Sequence, residues 1–277
     1  MAEENNIQNE DFSIYNGEGT ELRKAQLCML EIMKEIDKVC KRHGIPYWLD
    51  FGTLLGAVRH GGFIPWDDDA DITIFKEDSR RLEQYLIEEL PERYYVFSEK
   101  TDRKYKHTGY FRIVDRKTQM LRPGQDVKEV TDDGNGVAVD IFNIERGSVS
   151  FKRTMNKLHG RARRRITGEI KDGFINKALA YCIYPITYAV ISAYRAVMAL
   201  LPGNRYIYNI PNCVVKQMFS QRYKKYILPE KNIMFEGYKF SAPGNTHEML
   251  KETYGDYMRI PPKEKREMHS VFIRVLD

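Results

Sequence analysis

The chain has 277 residues, 42% of them hydrophobic and 30% charged, with a formal net charge of +5 and a mean hydropathy of −0.54. That is length enough for one large core or one and a half, and a composition that excludes fibrous, low-complexity and disulfide-framework proteins. The positive charge is local: residues 152–171 hold eight Lys/Arg against Glu169 alone, so the remainder is slightly acidic and no nucleic-acid partner is expected.

Met1 to Gly19 is polar, lacks the pattern of a signal peptide and reads as a loose arm. Thr20 is placed to cap a helix running to about His43, with Leu22, Ala25, Met29, Met33, Ile36 and Val39 or Cys40 at helical spacing, until Gly44-Ile45-Pro46 stops it. Cys28, Cys40, Cys182 and Cys213 show no Cys-x-x-Cys spacing and no nearby His, which points to reduced thiols. On one helix, Cys28 and Cys40 would stand about 18 Å apart, too far to bridge.

Tyr47 to Phe51 reads as a buried strand, and Gly52-Thr53 as the turn into a helix beginning at Leu54 to Val58. A strand, a Gly-Thr turn and a helix N-terminus offer free N–H groups and a positive dipole end to a phosphate. After Gly61-Gly62 and Pro65-Trp66 comes Asp67-Asp68-Asp69-Ala70-Asp71, leading into Ile72 to Phe75. Strand alternation places Asp69 and Asp71 on one face with Asp67 above them. Carboxylates crowded at a strand end repel one another, and such hard oxygen donors suit Mg²⁺ or Mn²⁺ bridged to substrate phosphates. A solvated acidic turn is the plainer alternative.

Asp78 or Ser79 opens a helix to about Leu90, and strands are expected at Tyr94 to Phe97, Tyr110 to Asp115 and Gln119 to Leu121. Asp140 then interrupts the apolar run Val137 to Phe142. A lone Asp in such a strand is costly unless a cation or a metal meets it, so it is either a third ligand or half of a salt bridge. Helices before and after these strands give an α/β (α+β) mixed sheet. Lys104, Lys106 and Arg112 either face a diphosphate or form a solvated face, and the isolated His107 reads as structural.

Ala178 to Leu201 carries one charge, Arg195, and four tyrosines, Tyr181, Tyr184, Tyr188 and Tyr194. Its length permits a membrane span, but Pro185 and the spread of aromatics also fit two short buried helices or a membrane-surface hairpin. Phe235 to Ala242 reads as a strand, and Asn245 or Thr246 as the cap of a helix with Glu248 in a capping box. Leu250 to Met258 leads into Arg259-Ile260-Pro261-Pro262, with Lys265, Arg266 and His269 on a terminal helix. This tail either closes over the substrate or packs against the sheet.

A Gly-Thr turn, a paired Asp-x-Asp strand and a single later Asp resemble the nucleotidyltransferase superfamily, although the 15 residues between Thr53 and Asp69 make a longer loop than usual. More specifically, LDFGTLLGAVRHGGFIPWDDDADI, VDIF at 139–142 and YGDYMRIPP from Tyr254 to Pro262 resemble LicD-type proteins, the phosphocholine transferase family that includes the fukutin-related proteins. The resemblance spans about residues 22–145 and 235–270. It implies a nucleotidyltransferase-like mixed sheet flanked by helices, with a helical insertion. The chain then divides into an arm (1–19), a catalytic core (20–147), a basic and apolar helical insertion (148–232) and a segment completing the catalytic domain (233–277).

The same resemblance implies metal-dependent transfer of phosphocholine, or a related phospho-alditol, from a CDP-linked donor such as CDP-choline. The acceptor would be a hydroxyl of a cell-surface glycan or teichoic-acid-type polymer, free or lipid-linked, and CMP the product. Asp69, Asp71 and Asp140 would be the catalytic residues and the ligands of Mg²⁺ or Mn²⁺, with Gly52, Thr53, Arg59, His60, Trp66, Asp68 and Trp48 binding substrate. Because a quaternary ammonium donates no hydrogen bond, Trp48, Phe63, Trp66 and Tyr110 are candidates for an aromatic cage, with plain core an equal reading of Trp48. A cytoplasmic location, at the inner face of a membrane, follows from a cytosolic donor and lipid-carried acceptors, and segment 152–201 suits peripheral contact with an anionic leaflet. In the competing reading, Arg161, Arg163, Arg164 and Arg165 hold phosphates of the acceptor. Two rival functions share these features: a nucleotidyltransferase releasing pyrophosphate, and a non-catalytic membrane-surface binding protein.

Overall fold

The computed structural model describes residues 10–102, 105, 109–124, 135–168, 170–208, 221–266 and 268–276; Lys104, Lys106, His107 and Cys213 lie outside the described residues. The described part of the N-terminal segment is not a loose arm. It forms a short helix α1 (Ser13–Asn16), lays Phe12 and Tyr15 against Trp66 at ring distances of 5.9 and 5.6 Å, and pairs Glu10 with Arg266 at 2.7 Å. Helix α2 (Glu21–His43) begins and ends as its sequence dictates: Thr20 accepts the Arg23 N–H, and Gly44 closes it at a φ of 60°. Its buried stripe includes Ala25, Met29, Met33 and Ile36, each fully enclosed and worth about 1.5–3 kcal/mol for the larger side chains.

Strand β1 (Tyr47–Leu49) stops earlier than its apolar sequence suggests, because the buried Asp50 turns its carboxylate onto the Phe51 N–H and caps helix α3 (Phe51–Arg59). Gly52 and Thr53 therefore lie in the first turn of the helix, not in a turn ahead of it. Strand β2 (Asp71–Phe75) is buried throughout and leads through α4 (Lys76–Glu89) to β3 (Tyr94–Phe97), β4 (Tyr110–Asp115), β5 (Thr118–Leu121) and β6 (Ala138–Arg146).

Next come α5 (Val149–Ile166) and α6 (Phe174–Leu200), followed by β7 (Arg205–Tyr208) and β8 (Arg222–Tyr223). The apolar stretch is thus one continuous 27-residue helix, Pro185 included, and it is mostly exposed, where two short buried helices were one expectation. The seven-stranded sheet runs β1-β2-β6-β4-β3, with β7 beside the far end of β6 and β8 beyond it; β2 and β6 are parallel and the other pairs antiparallel. Among the described residues of that segment, the long helices occupy 149–200, and β7 and β8 return the chain to the sheet.

The C-terminal part holds α7 (Lys224–Ile227), the hairpin β9 (Lys231–Phe235) and β10 (Tyr238–Ala242), α8 (Thr246–Tyr254) and β11 (Phe272–Val275). The expected single strand at 235–242 is the second half of that hairpin, because Glu236 and Gly237 both adopt positive φ, the conformation of a tight hairpin turn. Asn245 caps α8 by accepting the Glu248 N–H, as its sequence indicates. Among the described residues the expected terminal helix does not form: after a 3₁₀ turn at Lys263–Lys265 the chain extends and pairs β11 with β5, where alternation in Phe272-Ile273-Arg274-Val275 suits a strand.

Candidate active site

Three strands bring three charged residues into one row. Asp71 on β2 pairs in register with Asp140 on β6, and Asp140 in turn with Arg112 on β4, so all three side chains leave the same face of the sheet. Arg112 Nη2 donates to Asp140 Oδ2 at 3.0 Å, and its Nε lies 2.9 Å from Oδ1. Burial works against the charge of Arg112, but Asp140, Tyr110 and Tyr105 outweigh it and hold the guanidinium firmly protonated. Asp140, itself half-buried, is thus ion-paired with the buried Arg112 at the edge of the acidic cluster.

The cluster itself sits on the loop entering β2. Asp67, Asp69 and His269 each bring one ligand atom within 4.8 Å of the others. Burial, then the neighbouring carboxylates, raises the pKa of Asp67 and Asp71 well above the ordinary range; burial also raises that of Asp69, with Asp140 and Asp68 adding to it and His269 and Arg122 opposing. Confined acids that repel one another in this way favour a bound cation. Two carboxylates and an imidazole fit a divalent ion, with the nitrogen donor suiting Mn²⁺ better than Mg²⁺.

Local structure explains how the acids are held. Thr53 Oγ1 accepts the Asp71 N–H at 2.7 Å, fixing the start of β2 to the first turn of α3. Gly52 leaves room for Asp67: a Cβ there would lie 2.6 Å from Asp67 Oδ2. The carboxylate thus lies against the helix N-terminus to which the sequence assigned a phosphate. The buried Asp68 accepts the backbone N–H groups of His269 and Ser270 at 2.9 and 2.6 Å and so anchors the C-terminal segment. Below the cluster, buried Asp50 accepts from Thr73 at 2.9 Å and from Tyr208 at 2.5 Å, and Arg222 donates to the Tyr208 hydroxyl at 2.8 Å.

Arg59 ties α3 to the tail, donating through Nη1 to the carbonyls of Tyr257 and Arg259 at 3.0 and 3.2 Å and through Nε to His60 Nε2 at 3.0 Å. Burial, then the Arg59 charge, lowers the His60 pKa to about 4, which leaves its imidazole neutral and able to accept that bond. The aromatic candidates do not converge on one cage. Trp48 is fully buried against Phe75, Phe63 stacks edge-on against Phe235, and Tyr110 packs on Phe142. Trp66, with Phe12 and Tyr15, surrounds the guanidinium of Arg266, whose Cζ lies 4.8 Å from the indole. That cation fills the place proposed for choline.

Sequence reasoning missed His269, Asp50, Gly52 as a spacer for Asp67, and Tyr254. Burial first, and then the charges of Asp71, Asp50, Asp67 and Asp69, raise the Tyr254 pKa and keep this phenol, at the start of the YGDYMRIPP stretch, protonated. Only the stretch itself gave a signal.

Residues 44–164 match the family model described as LicD/FKTN/FKRP, nucleotidyltransferase domain. The chain is 28% identical over 268 residues to the lipopolysaccharide cholinephosphotransferase LicD of Haemophilus influenzae, covering 90% of this chain and 96% of that protein. Shorter matches join it to the human ribitol 5-phosphate transferase FKRP, 44% identical over 61 residues that make up 21% of this chain and 12% of FKRP. An uncharacterised protein of Rickettsia prowazekii is 48% identical over 63 residues, 23% of this chain and 24% of that protein. With the mixed sheet and the acidic loop in place, residues 44–164 are similar to the LicD/FKTN/FKRP nucleotidyltransferase domain.

Proposed function

We propose that this protein transfers phosphocholine, or a related phospho-alditol group, from a CDP-linked donor to a hydroxyl of a glycan acceptor and releases CMP. The observation that carries the reading is the convergence of Asp67, Asp69 and His269 within 4.8 Å, beside the Asp71–Asp140–Arg112 row. Similarity to a cholinephosphotransferase over nearly the whole chain, and to a ribitol 5-phosphate transferase over a short part, supports transfer of a phospho-substituent and leaves the head group to experiment. Such donors place the activity in the cytoplasm.

In this reading Asp69, Asp67 and His269 hold a divalent cation, with Asp71 at the base of the cluster. An ion held there would supply positive charge to offset that of the donor diphosphate. The acceptor oxygen forms a bond to the phosphorus bearing the head group as the bond to CMP breaks. Asp140 orients the acceptor hydroxyl and takes its proton, a modest demand because phosphoryl transfer passes through a loose transition state. Arg112, kept charged and aimed by Asp140, meets the diphosphate, and the Tyr254 hydroxyl donates to a phosphate oxygen.

The test combines Mn²⁺ titration, followed by the electron paramagnetic resonance of the free ion, with CMP formation from CDP-choline, CDP-ribitol and CDP-glycerol. One tight site, lost in Asp69→Asn, together with CMP formation that chelator abolishes, supports the proposal. Unchanged Mn²⁺ binding in Asp69→Asn, or CMP formation indifferent to chelator, overturns it.

A further inference from the structure

Of the three clustered ligands, His269 alone is exposed, so packing around the imidazole does not set where the ring lies. Its place is set through the backbone on either side. Downstream, Asp68 takes the N–H groups of His269 and Ser270, and the Val271 N–H donates to the Leu121 carbonyl at 2.8 Å as β11 joins β5. Upstream lies Arg266, three residues away. An extended span of three residues reaches about 11 Å at most, so wherever Arg266 is held limits where His269 can sit.

Arg266 is held by its side chain. Its Nε donates to the Pro261 carbonyl at 2.9 Å, and its guanidinium lies 4.8 Å from the ring centre of Trp66, the residue before the acidic run. The rest of its enclosure comes from the opposite end of the chain. Glu10 accepts a forked pair of bonds from Nη1 and Nη2 at 2.8 and 2.7 Å, the Tyr15 hydroxyl accepts from Nη1 at 3.3 Å, and the rings of Phe12 and Tyr15 flank the group at 5.5 and 5.8 Å. The Arg266 side chain is left 3% exposed. A forked carboxylate bond fixes direction as well as distance, and aromatic faces hold a desolvated guanidinium more firmly than an exposed one.

The N-terminal segment adds little to the core. Helix α1 buries none of its four residues, and one helical turn is unstable by itself. What the segment does is close around one side chain of the tail. We propose that residues 10–16 form a strap that encloses Arg266 and, through it, positions the His269 imidazole against Asp67 and Asp69, making Glu10 and Arg266 positioning residues for the divalent ion. Trp66 with Arg266, and Asp68 with His269 and Ser270, then join the acidic loop to the tail at two successive points. The inference rests on the reading of the cluster as a metal site. Residues that orient a metal ligand without touching the metal change affinity about ten- to a hundredfold when removed.

Mn²⁺ titration of the full chain, followed by the electron paramagnetic resonance of the free ion, tests the strap. Glu10→Ala, and Arg266→Lys, which keeps the charge but cannot fork, should each weaken Mn²⁺ binding about tenfold. The double variant Glu10→Ala, His269→Ala should bind no more weakly than His269→Ala alone, because the strap acts through that ring; losses that add would show a general structural role and overturn the inference. Hydrogen exchange of the metal-free protein reads the same coupling without metal. The His269 and Ser270 amides should exchange about tenfold faster in Glu10→Ala, and unchanged exchange would overturn it. Asp69→Asn separates the two possible failures. If it loses Mn²⁺ while Glu10→Ala and Arg266→Lys bind as the wild type does, the metal site stands and the strap falls; if the wild type itself holds no Mn²⁺, the metal site falls and takes the inference with it.

Discussion

The carboxylate of Asp68 accepts the backbone N–H of His269 at 2.9 Å across 201 positions of sequence, with Ser270 donating to its other oxygen. This fixes the imidazole of a chain-end residue beside Asp67 and Asp69. Removing the acceptor in Asp68→Ala leaves two N–H groups unpaired and should cost about 2 kcal/mol in urea unfolding. Mn²⁺ affinity should fall as far as it does in His269→Ala, because both changes remove the same donor. If Asp68→Ala is destabilised yet binds Mn²⁺ normally, the clamp is structural alone.

Gly52→Ala would set a Cβ 2.6 Å from Asp67 Oδ2, against a carboxylate already held by the cluster. Asp67 must move, and a displacement of about 1 Å at a reacting site is worth roughly a hundredfold in rate. Turnover should drop by about that factor while melting temperature changes little. Near-normal turnover would show that Asp67 is dispensable.

Asp69→Asn and Asp71→Asn remove one member from a set of crowded, mutually repelling acids, half-buried at Asp69 and buried at Asp71. Each should lower turnover by about a hundredfold or more and keep or raise the melting temperature. Asp140→Asn should behave oppositely in stability: it leaves Arg112 buried without its counter-charge, at a cost of about 3 kcal/mol. Thermal unfolding of the three variants side by side checks the contrast, and a stabilised Asp140→Asn would contradict the ion-pair account.

His60 carries a pH dependence. Its folded pKa of about 4 lies below the usual 6.5, so between these values the unfolded chain takes up a proton that the folded one refuses. Stability is therefore complete above about pH 6.5 and is lost as pH falls toward 4. The melting temperature of His60→Gln should decline less across that window than that of the wild type. Identical slopes would mean that His60 does not resist protonation in the fold.

Local signals explain what the sequence revealed. Thr20 and Gly44 bound α2 because a cap and a left-handed stop are made by neighbouring atoms, and strands β2, β3, β4 and β6 follow from short apolar runs between turns. The acidic loop was legible for the same reason. His269 was not, because only the distant pairing of β11 with β5 and the Asp68 anchor bring it to the cluster. Asp50 looked like the end of a strand, since nothing local shows that its carboxylate would turn to cap α3. Trp66 suggested a choline cage from its chemistry, yet the cation over its ring is Arg266, 200 positions later. The exposure of α6 was hidden because an apolar helix reads alike in a core and on a membrane.

The identity of the leaving group tests the central claim most directly. The protein, with Mn²⁺ and a glycan acceptor, is offered CDP-choline, CDP-ribitol, CDP-glycerol and CTP in parallel, and phosphorus NMR follows the products. The account predicts CMP from at least one CDP-linked donor, with the head group's phosphate retained on the acceptor, and no pyrophosphate from CTP. Pyrophosphate from CTP, with no CMP from any CDP-linked donor, would contradict it and make the protein a nucleotidyltransferase.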